Sequence, residues 1–285
     1  MADEMTSGTL YVIATPIGNL EDISIRALRL LKESDIIAAE DTRVTRKLLS
    51  HFDIHTPLTS YHQHSLESRS DSLLEALERG ENIALVSDAG LPGISDPGTD
   101  LIARAIKRGF CVTPVPGANA ALTALVASGL PTARFAFDGF PPRSRSDRHD
   151  FFNNLKKEQR TILLYESPGR LLNTLQELLT SLGDAPISVA RELTKLFEEH
   201  YRGTISQAIA YFTDKKPRGE FTLVIHPLVC LKYPNSDEMP TPEEALQEAL
   251  LAGLSGRDAI AQVSENLRLP KKKVYSLLLQ IKSKS

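Results

Sequence analysis

The sequence contains few of the residues that mark small secreted or redox-active domains. Among its 285 residues there are two cysteines and no tryptophan. Two cysteines are too few for a disulfide framework. Cys111 and Cys230 each lie within an apolar, strand-like run, so we expect both to be small buried residues of the core.

Long apolar runs are also missing. No run approaches the roughly 20 residues that a membrane-spanning helix needs. The segment Met1–Leu10 is acidic and has neither the basic nor the apolar region of a signal peptide. We therefore expect a cytoplasmic protein that does not act at a membrane.

The common short motifs of nucleotide and metal enzymes are absent as well. There is no GxGxxG after the first predicted strand, no P-loop, no GxSxG and no HExxH, which argues against dinucleotide, triphosphate, esterase and zinc-protease sites. His62 and His64 form the one metal-like cluster of the sequence. Because they lack a second pair of ligands, we expect no metal site.

Positive and negative charges are close to balanced, with a net charge of −3, so we do not expect nucleic acid to bind over the whole protein surface. The charges are unevenly distributed. The segment Gly256–Ser285 holds seven basic and two acidic side chains, whereas Asp237–Glu248 holds five acidic and no basic ones. A local asymmetry of this kind indicates a partner that binds the basic segment.

Strand-like apolar runs alternate with helical patterns along most of the chain. This alternation predicts an α/β fold whose first sheet is largely parallel, with a second α/β unit from about Arg134. After a polar linker at Pro227–Pro242, three short amphipathic helices are predicted, Glu243–Ala252, Gly256–Leu267 and Lys271–Ile281. In outline they resemble a helix-turn-helix.

A long loop, VSDAGLPGISDPG at Val86–Gly98, ends a buried strand. Ligands of open α/β sheets bind at the carboxyl ends of strands, and glycines such as Gly90 let the backbone approach a ligand closely. We expect Asp88 to accept a hydrogen bond from an ammonium group or a ribose hydroxyl. The structural alternative is that Ser95 or Asp96 caps the helix that begins near Pro97.

Seven short motifs occur in order along the chain, and together they resemble the tetrapyrrole-methylase-fold family over about residues 10–225. They are Thr15-Pro16-Ile17-Gly18-Asn19, Ala39-Glu40-Asp41-Thr42-Arg43, Ser87–Gly98, Pro114–Ala120, Tyr165-Glu166-Ser167-Pro168, Ala190–Lys195 and Gly219-Glu220-Phe221-Thr222. Within the family, these motifs and the basic tail are similar to bacterial enzymes that methylate the 2′-hydroxyl of a cytidine in 16S ribosomal RNA, in the decoding centre.

The resemblance implies two unlike α/β domains, residues 1–118 and 119–228, with S-adenosylmethionine in the cleft between them, and a basic helical extension at 241–285. It also implies a homodimer that acts on 16S rRNA or the 30S subunit. Its implied cofactor-binding residues are Pro16, Asp88, Gly90, Ile94, Ser95, Pro116, Ala120, Ala121 and Ser167. Many porphyrin-modifying relatives carry Gly-Asp-Pro where this chain has Ser87-Asp88-Ala89, which argues against a tetrapyrrole substrate.

Methylation of a ribose hydroxyl calls for a group that accepts the proton or stabilises the developing alkoxide. Glu166, Glu192 and Lys195 are the predicted catalytic residues. Two structural interpretations stay open: an ion pair of Glu192 with Arg191 that joins the domains, and a solvated surface position for Lys195.

Two basic stretches are predicted to bind RNA. Their residues are Arg143, Arg145 and Arg148 in one, and Lys271, Lys272 and Lys273 in the other. Two alternative functions remain: a methyltransferase of this fold that acts on a tetrapyrrole or a protein, and a non-catalytic RNA-binding protein.

Overall fold

The computed structural model describes residues 7–61, 66–228, 241–251, 254–267 and 269–284. It divides into two compact units, residues 1–228 and 229–285. Cys230, His62 and His64, and most of the predicted linker at 227–242 lie outside the described residues.

A five-stranded parallel sheet forms the first half of the larger unit. Its spatial order is β3-β2-β4-β1-β5, and the central strand is buried along its whole length because helices cover both faces. The strands are β1 (Thr9–Ile13), β2 (Ile36–Ala39), β3 (Leu58–Ser60), β4 (Ile83–Val86) and β5 (Cys111–Val115); the helices are α1 (Ile25–Glu33), α2 (Thr42–His51), α3 (Leu66–Glu78) and α4 (Thr99–Lys107).

The second half is built on a mixed sheet in the order β6-β7-β10-β8-β9, in which only the β6–β7 pair is parallel. Its strands are β6 (Phe135–Phe137), β7 (Thr161–Glu166), β8 (Pro186–Arg191), β9 (Glu199–Thr204) and β10 (Phe221–Ile225); its helices are α5 (Ala120–Ser128), α6 (Arg145–Leu155), α7 (Leu171–Leu182) and α8 (Ile205–Lys215). The predicted fold class, two unlike α/β parts, is confirmed. The domain boundaries given above stay predictions.

Two strands were not predicted from the sequence, and one residue that was predicted to be buried is exposed. The edge strands β3 and β9 are short or polar, so neither carries a strong apolar pattern. The prediction that Cys111 is buried is wrong: the residue is exposed. It begins β5, an edge strand that has a neighbour on one side only.

The smaller unit contains three helices, Pro242–Leu251, Gly256–Asn266 and Lys271–Lys284. They agree with the predicted ranges and pack around a core that includes Leu246 and Ala259. Lys271, Lys272 and Lys273 form the exposed first turn of the last helix. No helix in the described part of the chain is long and apolar enough to cross a membrane.

Candidate functional site

A cavity of about 340 Å³ lies where the carboxyl ends of β1, β4 and β5 face the second sheet. This volume is within the usual range for small-molecule sites. One wall follows the first sheet and comprises Ile17, Ala89, Gly90, Leu91, Ile94, Ser95, Asp96, Asn119 and Ala120. The other wall comprises Phe140, Tyr165, Glu166, Ser167, Pro168, Gly219, Glu220, Phe221 and Thr222.

The first wall is held in shape mainly by backbone bonds. Thr15 N donates to Gly90 O at 2.8 Å, and Gly90 N donates to Thr15 O at 3.0 Å. The buried Thr15 hydroxyl also donates to Ser87 O at 3.1 Å. Gly90 has a φ of +85°, which explains the need for glycine there. The anchoring role of Thr15 was missed, although it stands in the first of the seven motifs.

The end of this loop differs from its prediction. Helix α4 begins at Thr99, and its N-cap is Gly98, with no side-chain hydrogen bond. The capping role given to Ser95 or Asp96 is therefore wrong. Ser95 has a left-handed φ of +65°, and both residues line the cavity instead.

Asp96 stands in an unusual electrostatic environment. Burial, together with the nearby negative charges of Glu40 and Asp88, raises its pKa from 3.8 to about 6, although the Ser87 hydroxyl favours the ionised form. Glu40 follows β2 and Asp88 follows β4, so strand ends that are distant in sequence create this environment. Sequence reasoning missed Asp96 as a site residue because Asp-Pro-Gly is also a common way to start a helix.

On the second wall, both carboxylate oxygens of Glu166 accept hydrogen bonds. One carboxylate oxygen accepts hydrogen bonds from the backbone and hydroxyl of Ser167, at 2.8 and 3.2 Å, and the other accepts from the Thr174 hydroxyl at 2.5 Å. The guanidinium groups of Arg170 and Arg148 lie 3.7 and 4.0 Å away. The Glu166 side chain is fully buried, so its contacts are those of a structural anchor.

The predicted catalytic pair Glu192 and Lys195 lies beside the cavity and does not line it. Lys195 Nζ donates to Glu192 Oε1 and to Glu220 Oε2, both at 3.0 Å. Burial opposes the charge on Lys195, but its bonds to Glu220 and Glu192 outweigh it and raise the lysine pKa. The aliphatic part of Lys195 covers Gly18, where an added Cβ would come within 2.4 Å of it.

Of the nine predicted cofactor residues, five line the cavity: Gly90, Ile94, Ser95, Ala120 and Ser167. The other four stand behind or beside it. Asp88 is exposed and accepts from Asp41 N at 3.0 Å. Ala121 N donates to the Tyr165 hydroxyl at 3.1 Å, which joins the two walls. Pro16 and Pro116 belong to the loops that follow β1 and β5.

The predicted RNA-binding arginines divide into two kinds. Arg148 is mostly buried, forms an ion pair with Glu177 and donates to Thr174 at 2.7 Å. Arg143 and Arg145 are exposed, and none of the hydrogen bonds or ion pairs among the described residues involves them. Arg143 lines a surface groove of about 630 Å³ between α6 and α7, together with Arg148 and Arg170.

The chemistry of the cavity suits a cationic, partly aromatic ligand. Its described lining includes three carboxyl residues, Asp96, Glu166 and Glu220, and no lysine, arginine or histidine. Tyr165 packs against Phe137 and Phe140, with ring centroids 4.9 and 5.5 Å apart. S-adenosylmethionine, which carries a sulfonium, an ammonium and an adenine ring, fits such a lining; a nucleoside triphosphate does not.

Comparison with known families assigns the chain. The model of the Tetrapyrrole (Corrin/Porphyrin) Methylases matches residues 9–209. The chain belongs to the tetrapyrrole methylase family. Its membership confirms the resemblance drawn from the seven motifs.

Two curated relatives are similar along nearly their whole length, and both are named Ribosomal RNA small subunit methyltransferase I. The protein from Halalkalibacterium halodurans is 47% identical over 96% of this chain and 95% of its own. The protein from Synechocystis sp. is 48% identical over 97% of this chain and 99% of its own. A solved cobalt precorrin-4 methyltransferase has the same fold, with a TM-score of 0.59 and 19% identity over 76% of this chain and 94% of its own.

Proposed function

We propose that this family member uses S-adenosylmethionine to methylate the ribose 2′-hydroxyl of a cytidine in 16S rRNA. The observation that carries the proposal is the near full-length similarity, at 47% identity, to a protein named Ribosomal RNA small subunit methyltransferase I. With that substrate, we propose a cytoplasmic protein that acts as a homodimer, with 16S rRNA or the 30S subunit as its partner.

The cavity supports S-adenosylmethionine as the cofactor. When bound, this cofactor supplies an activated methyl group with a good leaving atom. The residues of the chain then have to orient the hydroxyl, exclude water and take up a proton. Gly90, Ile94, Ser95, Ala120 and Ser167 would hold the cofactor, with Tyr165 closing the wall across from them.

Two basic surfaces support an RNA substrate. The exposed Arg143 and Arg145 lie at the start of α6, next to the second wall of the cavity. In the smaller unit, Lys271, Lys272 and Lys273 occupy the first turn of a helix, where the helix dipole disfavours positive charge. Three lysines in that position cost stability, which favours a binding role for them, and phosphate is the ligand class they suit.

Methyl transfer to 16S rRNA tests the function directly. We expect purified protein to transfer labelled methyl from S-adenosylmethionine to 30S subunits or to 16S rRNA from cells that lack the gene. The label should lie on a cytidine ribose, which is measured by resistance of the adjacent phosphodiester to alkali. Label on a base, on protein, or on a tetrapyrrole supplied instead would contradict the proposal.

A second measurement separates an enzyme from a silent RNA-binding protein. Calorimetry should detect binding of S-adenosylmethionine to the full chain without RNA. RNA binding together with absent cofactor binding would support the non-catalytic alternative.

A further inference from the structure

We propose that a second, basic pocket of the larger unit binds a phosphodiester of the RNA close to the nucleotide that is methylated. This basic pocket has a volume of about 230 Å³, and its charged residues are Arg191, Glu199, Lys215, Lys216 and Arg218. The inference rests on the proposed function, because it concerns the binding of the same RNA. It adds a site to the two basic surfaces described above.

The basic pocket lies at the same edge of the second sheet as the cavity. Phe221 of β10 pairs with Glu166 of β7 on one side and with Arg191 of β8 on the other. Arg191 pairs in turn with Glu199 of β9. The first two of these residues line the cavity, and the last two line the basic pocket. Since neighbouring strands lie about 5 Å apart, a few nucleotides of an RNA strand can span the two sites.

Positive charge is in excess in the basic pocket, because four cationic residues share it with one carboxylate. Glu199 accepts hydrogen bonds from Arg191 at 3.2 Å and from Lys215 at 2.9 Å. Lys216 and Arg218 are exposed, and their side chains take part in no hydrogen bond or ion pair within the part of the chain that the structure describes. These two cations are therefore available to an anion.

Bonds within the protein fix one wall of the basic pocket. Arg191 Nε donates to the backbone oxygen of Arg218 at 2.7 Å, and 26% of the Arg191 side chain is exposed. Its Nη2 atom takes part in no hydrogen bond among the described residues. A guanidinium that is held in place suits phosphate oxygens, because its planar fork matches their geometry.

The backbone places a lysine where a glycine is usual. Helix α8 ends at Lys215, and Lys216 follows it with a left-handed φ of +51°. Helices commonly end with a glycine in this conformation, and a residue with a side chain costs of the order of 1 kcal/mol there. The helix dipole favours a cation at this end, but Lys215 already supplies one. A strained residue that the helix does not need is typical of a functional position.

The size and charge of the basic pocket favour a phosphodiester. Its volume of about 230 Å³ lies below the usual range for sites that enclose a whole small molecule. Phosphates supply most of the attraction between RNA and a cationic surface, and contacts to them position the strand without reading its sequence. We therefore assign the basic pocket a positioning role, in which it holds the strand while the ribose reaches the cavity.

The test removes the two unpaired cations together, as Lys216→Ala/Arg218→Ala in the full chain. We expect the dissociation constant for 16S rRNA, measured by filter binding, to rise by about tenfold or more. The slope of log affinity against log salt should fall by about 2. The methylation rate at saturating RNA should stay within about twofold, because the lost contact binds ground and transition states alike. Lys216→Arg/Arg218→Lys keeps both charges and should retain most of the affinity.

Lys32→Ala/Lys107→Ala is the matched control. Both lysines are exposed and lie in the last turns of α1 and α4. These helices run back from the carboxyl ends of β1 and β4, so the two lysines lie toward the opposite edge of the first sheet. The control removes the same charge and should change the RNA affinity by less than about threefold.

Tethered cleavage tests the location of the site. An iron chelate is attached to Lys216→Cys in a chain whose two natural cysteines are replaced by serine. We expect it to cut the bound RNA within a few nucleotides of the methylated cytidine. The same chelate on Lys107→Cys should give no cuts there.

Four outcomes bear against the proposal. Unchanged RNA affinity and salt slope in Lys216→Ala/Arg218→Ala, with methylation by the wild type intact, would exclude the site. An equal loss in the Lys32→Ala/Lys107→Ala control would show a general effect of charge. Cuts far from the methylated cytidine would place the site elsewhere on the RNA. A change in sedimentation with RNA affinity retained would assign the basic pocket to a contact between copies of the chain.

Two further results separate this proposal from its premises. Circular dichroism checks that Lys216→Ala/Arg218→Ala is folded, and if it is not, the tethered cleavage carries the test. Absence of RNA methylation by the wild-type protein would instead refute the proposed function itself.

Discussion

The two walls of the cavity hold their carboxylates in opposite ways. On the second wall, Glu166 is buried among donors from Ser167 and Thr174, with two arginines nearby. On the first wall, Asp96 faces two negative neighbours, Glu40 and Asp88. Both residues come from loops or strand ends at the same cavity, yet their surroundings have opposite signs.

The difference assigns them different tasks. Hydrogen-bond donors around a carboxylate fix it in place, and it then stabilises the fold. Burial and nearby negative charges instead favour the protonated form of a carboxyl group. The comparison therefore predicts that substitutions on the second wall mainly change stability, and substitutions on the first wall mainly change chemistry and ligand binding.

The largest expected effect is on the second wall. Glu166→Ala removes the anion between Arg148 and Arg170, both of which are mostly buried. Leaving buried charges without a partner should lower the free energy of unfolding by about 3 kcal/mol, measured by urea titration of the full chain. Glu177→Ala is the matched control, because it removes the more exposed partner of Arg148 and should cost about 1 kcal/mol or less. Equal losses in the two variants would contradict the anchoring role of Glu166.

Gly90 and Gly109 provide a matched pair in loops next to the first sheet. Their φ values are +85° and +83°, and a Cβ would meet no close contact at either position. An alanine at either position should cost about 1 kcal/mol of stability. Only Gly90→Ala alters the loop that lines the cavity, so it alone should weaken binding of S-adenosylmethionine, by about tenfold. Unchanged affinity in calorimetry would show that this loop does not hold the cofactor.

The pH dependence of stability tests the environment of Asp96. Its pKa is about 6 in the folded chain, against an ordinary value of 3.8, so the folded state binds the proton more tightly. Ionisation of Asp96 therefore lowers stability progressively as the pH rises from about 4 to 6, and the full cost is present above that. Asp96→Asn removes this cost and should be more stable than the wild type at pH 8.

The expected gain in the free energy of unfolding at pH 8 is of the order of 2 kcal/mol. It is smaller than the full difference between the two pKa values would give, because solvent screens the charges. The gain should disappear below about pH 4. Chemical denaturation at several pH values measures it. Asp184→Asn is a control of opposite sign: bonds from Ser206 lower the pKa of Asp184, so that variant should be less stable than the wild type at neutral pH.

The smallest expected effects concern the predicted RNA-binding arginines, of which Arg143 and Arg145 are exposed and Arg148 is mostly buried. Replacing Arg143 and Arg145 by alanine should weaken RNA binding and reduce the slope of log affinity against log salt by about 2, with folding unaffected. Arg148→Ala should instead lower the denaturation midpoint, since it breaks the bonds to Glu177 and Thr174. A larger loss of RNA affinity in Arg148→Ala, in a protein that stays folded, would contradict this division.

Much of the molecule could be predicted from local patterns. The buried strand Ile83–Val86, the loop after it and the glycines within it follow from apolar runs and turn chemistry, and the order of seven motifs was enough for the family. The strand β9 was missed because Glu199–Thr204 is a polar edge strand. Cys111 was placed in the core because an apolar run does not tell a central strand from an edge.

The sequence by itself determined the α/β alternation, the ligand-binding loops and the presence of several acids near the site. Only the tertiary structure decided what each acid does. Glu166 and Asp96 are ordinary carboxylates in the sequence, and their roles depend on which groups the fold brings to them. Thr174 of α7, Arg148 of α6 and Arg170 just before α7 reach Glu166, whereas Glu40 reaches Asp96 from the end of β2 and Asp88 from the same loop. Because electrostatic interactions depend on distance in space and on burial, spacing along the chain could not have shown this difference.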